Sequence, residues 1–414
     1  GMFDGTIDVD RIRRRIAELG EIERTEDGGV TCLAYSEAEN EAFAYLREEI
    51  PDGYEIEEDP MGNVFATPEP DAERSLYMGS HLDTVRNGGR FDGRMGVVVA
   101  LEAMQAIDEV DEEPTMPPTL AVFRAEETAR FNVGLIGSRG ALGLLEEKQL
   151  EATDEDGVSL REAMDGSGFR PPERGTATID LDRVAGFVEP HIEQGPILEG
   201  ESVPVGVVTE IRGILRDRVT VRGLPNHSGA TPMERRRDAV AGAAEMIGAV
   251  ETIGREASRE GDLVATVGYL ETPDASANKV SGEATFPIDV RSVDTEYRGE
   301  IDERIRDRLR SIADRRGLDV EVEVMERIDP VVLDERLGDA LAAAAETTGT
   351  GYVRMASGGG HDAMDFAKVG KPAGMVFTAC DRGLSHNPNE SVEPEAMEAG
   401  TKVLAGALFE YRPE

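Results

Sequence analysis

The sequence has no tryptophan, two cysteines, five histidines and an aromatic content of only 5%. No apolar run approaches the ~18 residues that a membrane-spanning helix needs, which excludes an integral membrane protein of the helical kind. Cys32 and Cys380 are too few and too far apart for a disulfide framework, so the expected compartment is a reducing cytoplasm. The N-terminal stretch MFDGTIDVDRIRRRIAELG shows an amphipathic helix pattern broken by arginines rather than the apolar core of a secretory signal. Lysine is scarce as well, standing only at Lys148, Lys279, Lys368, Lys371 and Lys402. What the chain has in excess is carboxylate: 84 acidic against 44 basic residues gives 44 − 84 = −40. Such a surface repels nucleic acid and anionic membranes, and neither is an expected partner. Acidic chains poor in lysine and aromatics include disordered ones, but 39% hydrophobic residues in periodic runs argue for packed cores. The charge reads as a solvated acidic coat of the halophilic type, whose self-repulsion salt screens.

A length of 414 residues exceeds the ~100 to 200 of a usual domain and predicts two. SLYMGS (residues 75–80) and PTLAVF (residues 118–123) read as buried strands, with helical patterning from Gly96 to Ile107 between them. This is a βαβ unit with parallel pairing, in which ligands gather at the carboxyl ends of the strands. The texture changes near Leu215. DRVTVRG, DLVATVGYL, GEATFPIDVRS and DVEVEVM read as strands, with helices marked by Ala239, Ala243, Met246 and Val250 and by Ile301, Ile305, Leu309 and Ile312. That βαββαβ order is ferredoxin-like. The expected fold is therefore α/β, a mixed-sheet catalytic domain over residues 1–212 and 327–414 interrupted by an inserted domain over 213–326. The polar segment from Glu146 to Arg183, with DEDG and RPPERG turns, reads as a surface excursion.

The histidines carry the chemistry. His81, His191, His227, His361 and His386 stand in SHLD, EPHIEQGP, PNHSGATP, GGGHDA and LSHNP, each beside glycine, proline, serine or a carboxylate, and none in an apolar helical stripe. A single histidine is more often structural than a ligand; five of five in loop-like contexts at strand ends reverse that weighting. In an extended HLD segment His81 and Asp83 share a face, so Asp83 is placed either to accept the ring N–H or to contact a neighbouring ligand, fixing a tautomer and raising ligand basicity, against the plainer reading of a turn aspartate. Asp92 follows in GGRFDGRMG, where glycines permit tight turns and close approach; its two oxygens suffice to bridge two cations ~3.5 to 4 Å apart. Glu126 and Glu127 follow PTLAVF directly. Adjacent glutamates are usually a solvated pair, but at a strand's carboxyl end one can ligate a metal while the other moves a proton. Histidine and carboxylate without cysteine in open loops point to zinc or manganese. A phosphate-binding GxxxxGK[ST] loop, a GxGxxG dinucleotide turn and a GxSxG nucleophile elbow are all lacking.

GSHLDTVRNGGRFDGRMG, AEETARF, PHIEQGPILE, GLPNHSGATPM with RRDA, SGGGHDAMDFA and GLSHNPNES, in this order over nearly the whole chain, resemble the hydantoinase/carbamoylase subgroup of the dinuclear zinc aminoacylase/carboxypeptidase superfamily. That subgroup includes N-carbamoyl-L-amino acid hydrolase, allantoate amidohydrolase and β-ureidopropionase. The resemblance implies two divalent ions, one held by His81, Asp92 and His191 and a second by Asp92, Glu127 and His386. It implies Glu126 as general base, Asp83 as orienter of the metal centre and His227 as the group polarising the scissile carbonyl. Asn278 and Arg291 would hold a substrate carboxylate, with Gln194 and His361 lining the pocket. The inserted domain would serve as lid and make a homodimer, with His227 crossing into the neighbour's site. The implied reaction is hydrolysis of the ureido amide of a small N-carbamoyl amino acid. Allantoate is the alternative substrate, and N-acyl amino acids or peptides a further one. A binding protein on an inactive scaffold is disfavoured, because the base and all ligands are present. Arg124 and Ala125 stand where relatives often carry smaller or acidic residues, and Thr128 where glycine is common; these departures bear on substrate rather than on the metal ligands.

Overall fold

The apolar runs around residues 75 and 118 form neighbouring parallel strands joined through a helix, as their patterning predicts. In the computed structural model, which describes residues 1–414, the chain divides into one unit of residues 1–209 and 332–414 and a second of residues 210–331. In chain order the strands are β1 (Glu55–Glu58), β2 (Val64–Thr67), β3 (Ser75–Met78), β4 (Pro118–Val122), β5 (Val184–Ile192), β6 (Val205–Ile211), β7 (Gly213–Arg222), β8 (Asn226–His227), β9 (Val264–Thr266), β10 (Lys279–Val280), β11 (Glu283–Ser292), β12 (Asp319–Ile328), β13 (Val331–Val332), β14 (Tyr352–Ser357) and β15 (Ala373–Thr378). The helices are α1 (Val9–Leu19), α2 (Glu37–Glu49), α3 (Arg94–Asp108), α4 (Ile136–Ala141), α5 (Glu147–Leu150), α6 (Leu160–Gly166), α7 (Ile197–Gly200), α8 (Ala239–Glu260), α9 (Thr295–Arg316), α10 (Glu335–Thr347), α11 (Ala363–Lys368) and α12 (Pro394–Glu410). No helix is long and apolar enough to cross a membrane.

The first unit is built on a mixed sheet in the order β1-β2-β4-β3-β5-β15-β6-β13, with β14 pairing to β6. Its centre, β4-β3-β5-β15, is parallel, and the pairs β1-β2, β2-β4 and β15-β6 are antiparallel. Every residue of these four central strands is buried, which is why the runs of β3 and β4 show no polar alternation in the sequence. One large core joins sheet residues Leu76, Met78, Leu120 and Val188 to α3, α10 and α12 through Val97, Leu101, Leu341, Leu404 and Leu408. Elsewhere Phe123, Phe187 and Phe366 interlock, Phe187 and Phe366 stacking at 4.4 Å and Phe123 meeting both edge-on. The segment 146–183 is more than a surface excursion. Leu150 on α5 and Leu160 and Met164 on α6 are buried with Ala34, Tyr35, Met61 and Phe131 in a further core. Those anchors are separated by polar turns, too far apart to show as a period.

In the second unit β12-β7-β11-β9 form an antiparallel sheet. Alternation along β11 buries Ala284, Phe286, Ile288 and Val290 against α8 and α9 and leaves Glu283, Thr285, Asp289 and Arg291 half-buried on the opposite face. Asp238 and Asp294 accept backbone N–H groups at the starts of α8 and α9. DLVATVGYL, expected as one strand, is strand only from Val264 to Thr266, the three residues that pair with β11. It is the sheet's edge, and Tyr269 and Leu270 beyond it are exposed.

Candidate metal centre

Because β4, β3, β5 and β15 are parallel neighbours, their carboxyl ends share one edge of the sheet, and that edge gathers the candidate residues. His81 lies just past β3 and bridges to Phe123 past β4; Glu126 and Glu127 follow β4; His191 is the penultimate residue of β5, opposite Phe377 of β15. His386 comes from the loop after β15.

The atoms meet at spacings that discriminate between bonding modes. His81 Nε2 and His191 Nε2 lie 3.6 and 3.3 Å from Asp92 Oδ1. His386 Nε2 lies 3.3 Å from Asp92 Oδ2 and 3.5 Å from Glu127 Oε1. N–H···O bonds are ordinarily about 2.7 to 3.2 Å long, whereas two atoms each ~2.1 Å from a tetrahedral zinc stand about 3.4 Å apart. Moreover, His81 Nε2, Asp92 Oδ1 and His191 Nε2 are buried and make no hydrogen bond, although buried polar atoms are nearly always paired. The groups His81/Asp92/His191 and Asp92/Glu127/His386 thus each fit a divalent cation, with Asp92 giving one oxygen to each. His81 Nε2 is also 3.4 Å from Glu126 Oε2, which places Glu126 beside the first group.

Tautomers are fixed from behind. His81 Nδ1 lies 3.0 Å from the Asp83 carbonyl and His191 Nδ1 2.9 Å from the Ile192 carbonyl. A carbonyl only accepts, so both Nδ1 atoms carry a proton and both Nε2 atoms face Asp92. The Asp83 carboxylate is engaged elsewhere, its two oxygens accepting the backbone N–H groups of Glu126 and Glu127 at 3.0 and 2.9 Å.

The glycines around Asp92 are required by this closeness. Gly93 has φ 70°, and a Cβ there would lie 2.3 Å from the His81 ring; at Gly96, in the first turn of α3, it would lie 2.0 Å from the Pro190 carbonyl oxygen. Glu390 Oε1 accepts the N–H groups of Phe91 and Asp92 at 2.9 and 2.8 Å, tying the Asp92 loop to the loop of His386.

The electrostatics are those of a site seeking positive charge. Burial pushes the Glu126 carboxyl well above the usual carboxylate range; the nearby His81 ring opposes this, and Glu127 and Asp362 add to it. The neighbouring carboxylates of Asp92 and Glu127 raise His386 to about 10. Burial opposes ionisation of Asp92, but His191 and His386 outweigh it and hold its carboxyl well below the ordinary value.

Gln194, with φ 63°, donates from Nε2 to Asp92 Oδ2 at 2.8 Å and to Ser385 Oγ at 2.9 Å. His361 is buried beside His191 at a ring separation of 4.6 Å, its Nε2 on Ser357 Oγ at 2.9 Å and its Nδ1 without a hydrogen bond. Burial, with His191 nearby, keeps its pKa well below the usual histidine value. The second unit carries its own group. His227 on β8 pairs with Lys279 of β10, and Ser228 N–H reaches the Asn278 carbonyl, so His227 and Asn278 share one short ribbon. Arg291 lies on β11, where its Nε and Nη2 donate to Asp289 at 2.8 and 3.2 Å.

Among the buried carboxylates around this centre that sequence reasoning missed are Glu390, Asp362 and Glu189, the last accepting from Ser80 Oγ at 2.7 Å and from Ala363 N–H at 3.1 Å. Glu189 alone left a signal, since it stands two residues before His191 on a strand and shares its face.

A model of peptidase family M20/M25/M40 matches residues 77–410. An N-carbamoyl-L-amino acid amidohydrolase of Geobacillus stearothermophilus is 36% identical over 411 residues, with 98% of each chain covered. An allantoate deiminase of Arabidopsis thaliana is 34% identical over 377 residues, 84% of this chain and 72% of that one. Among solved structures, an amidase of the hydantoinase/carbamoylase family from Burkholderia multivorans matches with a TM-score of 0.89 at 32% identity over 99% of both chains.

Proposed function

The chain belongs to peptidase family M20/M25/M40, and from that premise we propose that it is an amidohydrolase cleaving the ureido amide of N-carbamoyl-L-amino acids. The observation that carries the reading is the pair of ligand groups sharing Asp92 with Glu126 beside them. His81, Asp92 and His191 would hold one divalent ion, zinc or manganese, and Asp92, Glu127 and His386 a second. When bound, such ions supply Lewis-acid polarisation of the carbonyl and a water acidic enough to be deprotonated near neutral pH. Glu126 is the base that takes that water's proton and returns it to the departing nitrogen; its Oε2, 3.4 Å from His81 Nε2, stands beside the first ligand group. Asp83 holds the backbone of Glu126 while this happens. The products are amino acid, carbon dioxide and ammonia.

We read the second unit, whose strands and helices follow the βαββαβ order with sheet order β12-β7-β11-β9, as a ferredoxin-like lid that recognises substrate and forms the contact of a homodimer. His227 is suited to an oxyanion. Its Nδ1 accepts the N–H groups of Gly229 and Ala230 at 3.0 and 3.1 Å, so the remaining proton sits on Nε2 and the neutral ring is a donor. Replacing His227 by alanine is expected to lower kcat by about 10²- to 10³-fold, as loss of one oxyanion donor does, with metal content unchanged. Steady-state kinetics with elemental analysis check this, and parent-like kcat would remove His227 from the reaction.

Arg291, with Asn278, is assigned the substrate carboxylate. The competing reading is a purely intradomain ion pair with Asp289, worth about 0.2 to 1 kcal/mol. A guanidinium fork matches a carboxylate in two-point fashion and an ammonium does not. Arg291→Lys is therefore expected to raise KM at least tenfold, about 1.4 kcal/mol, for substrates with a free carboxylate, and to leave their amide analogues within about twofold. Equal effects on acid and amide would leave Arg291 only its pairing with Asp289.

Allantoate is the second reading, supported by the allantoate deiminase relative. Rates of the metal-loaded protein on N-carbamoyl-L-amino acids, their D isomers and allantoate separate the two. Turnover of allantoate alone replaces the first reading by the second. The free, buried cysteines and the acidic coat support placement in a reducing, salt-rich cytoplasm.

A further inference from the structure

The four residues that lead from β4 into the site have left the sheet, yet each of their amides is held by a buried side chain. Arg124 N–H donates to Asn63 Oδ1 at 2.8 Å and Ala125 N–H to Glu39 Oε2 at 2.9 Å. Glu126 and Glu127 N–H take the two Asp83 oxygens. Ala125 has φ 55°, the left-handed region that residues with a Cβ rarely adopt. Such a conformation persists only where the surroundings over-determine it, and here a fully buried carboxylate of α2 is what holds it. The other Glu39 oxygen accepts Tyr35 N–H at 2.9 Å and faces Arg124 Nη1 at 3.4 Å. Arg124 is itself buried. It donates to Asn40 Oδ1 at 2.6 Å and to the Gly62 carbonyl at 3.0 Å, with its guanidinium carbon 3.9 Å from the centre of the Phe43 ring.

We propose that Glu39 is a positioning residue for Glu126: by holding the Ala125 amide, it fixes the backbone from which the two adjacent glutamates point to different partners. Glu126 Oε2 is 3.4 Å from His81 Nε2 and Glu127 Oε1 is 3.5 Å from His386 Nε2, so a rotation about Ala125 displaces both. Glu39 is in neither ligand group that shares Asp92. Its surroundings call for a carboxylate. Both oxygens face N–H donors, so a glutamine must turn its NH₂ against either Tyr35 N–H or Ala125 N–H and leaves the Arg124 charge without its anion. The inference rests on the assignment of Glu126 as base.

The test uses the full-length, metal-loaded protein and the variants Glu39→Gln and Glu39→Asp, the second keeping the charge but shortening its reach. Hydrogen–deuterium exchange is followed for the peptide containing residues 124–127, together with kcat, KM and metal content. Both variants are expected to exchange that peptide at least about tenfold faster than the parent while the rest of the protein is unchanged. They are expected to lose about 10²-fold in kcat at near-parent KM and full metal content, the size of effect that a displacement of ~1 Å produces. If exchange rises uniformly or not at all, or if kcat stays within about twofold of the parent, Glu39 serves stability only and the proposal is overturned. Should glutamine prevent folding, the aspartate variant decides. Should the parent leave ureido acids intact, the substrate reading fails by itself and the exchange measurement still tests the positioning.

Discussion

Glu126→Gln is expected to lower kcat by about 10²- to 10⁴-fold, the usual share of a general acid–base group, while metal content stays at the parent level. Glutamine has nearly the shape of glutamate, and the backbone bond from residue 126 to Asp83 does not depend on the side chain. What it lacks is the ability to take a proton from water and return it to the leaving nitrogen. The prediction also separates Glu126 from its neighbour. His81, Glu126 and Glu127 are close enough to form a ligand group of their own, and if Glu126 were a ligand first and a base second, metal content would fall with activity. Elemental analysis beside steady-state kinetics distinguishes the two, and turnover near the parent rate would show the assigned mechanism to be wrong.

Asp92→Ala is expected to weaken binding at both proposed metal sites together. Asp92 Oδ1 faces His81 and His191, and Asp92 Oδ2 faces His386, with Glu127 beside it. Loss of an outer hydrogen-bond partner already weakens metal affinity by about 10- to 100-fold, so loss of a shared ligand should exceed that at each site. Glu127→Ala, by contrast, removes a ligand of one group only and should leave about one ion bound. Metal counts after gel filtration check both variants. Two tightly held ions in Asp92→Ala would contradict the bridging role.

Much of this centre was legible because its residues break the pattern of the chain around them. The buried strands β3 and β4 are continuous apolar runs, and a histidine or a glutamate pair directly after such a run falls at the ligand-gathering edge of a parallel sheet. The glycines near Asp92 were legible too, as a sign of the crowding seen between residue 93 and the His81 ring. Less legible was the division of labour within HLDT. Spacing left the Asp83 carboxylate either on the His81 ring or on a neighbouring ligand; at 3.4 Å it is near that ring, but the ring N–H has the Asp83 carbonyl at 3.0 Å. The carboxylate is engaged by amides that lie 43 and 44 residues further along the chain, contacts that no local pattern encodes.

Glu39, Glu189 and Glu390 were hidden for a related reason. In a chain with 84 acidic residues a carboxylate attracts no notice, and what sets these three apart is burial that tertiary packing creates. Arg291 shows the opposite case. Alternation along FPIDVRS placed Asp289 and Arg291 on one face, and the structure joins them, yet that pairing serves a surface ion pair and a substrate clamp equally well.

The most direct measurement is the ratio of ammonia to amino acid released by the metal-loaded protein from an N-carbamoyl-L-amino acid. Cleavage of the ureido amide predicts one ammonia for each amino acid formed, and no more than about a hundredth as much of either from the Glu126→Gln variant on the same timescale. Release of amino acid from N-acyl amino acids or peptides, with no ammonia from any ureido acid, would contradict the account.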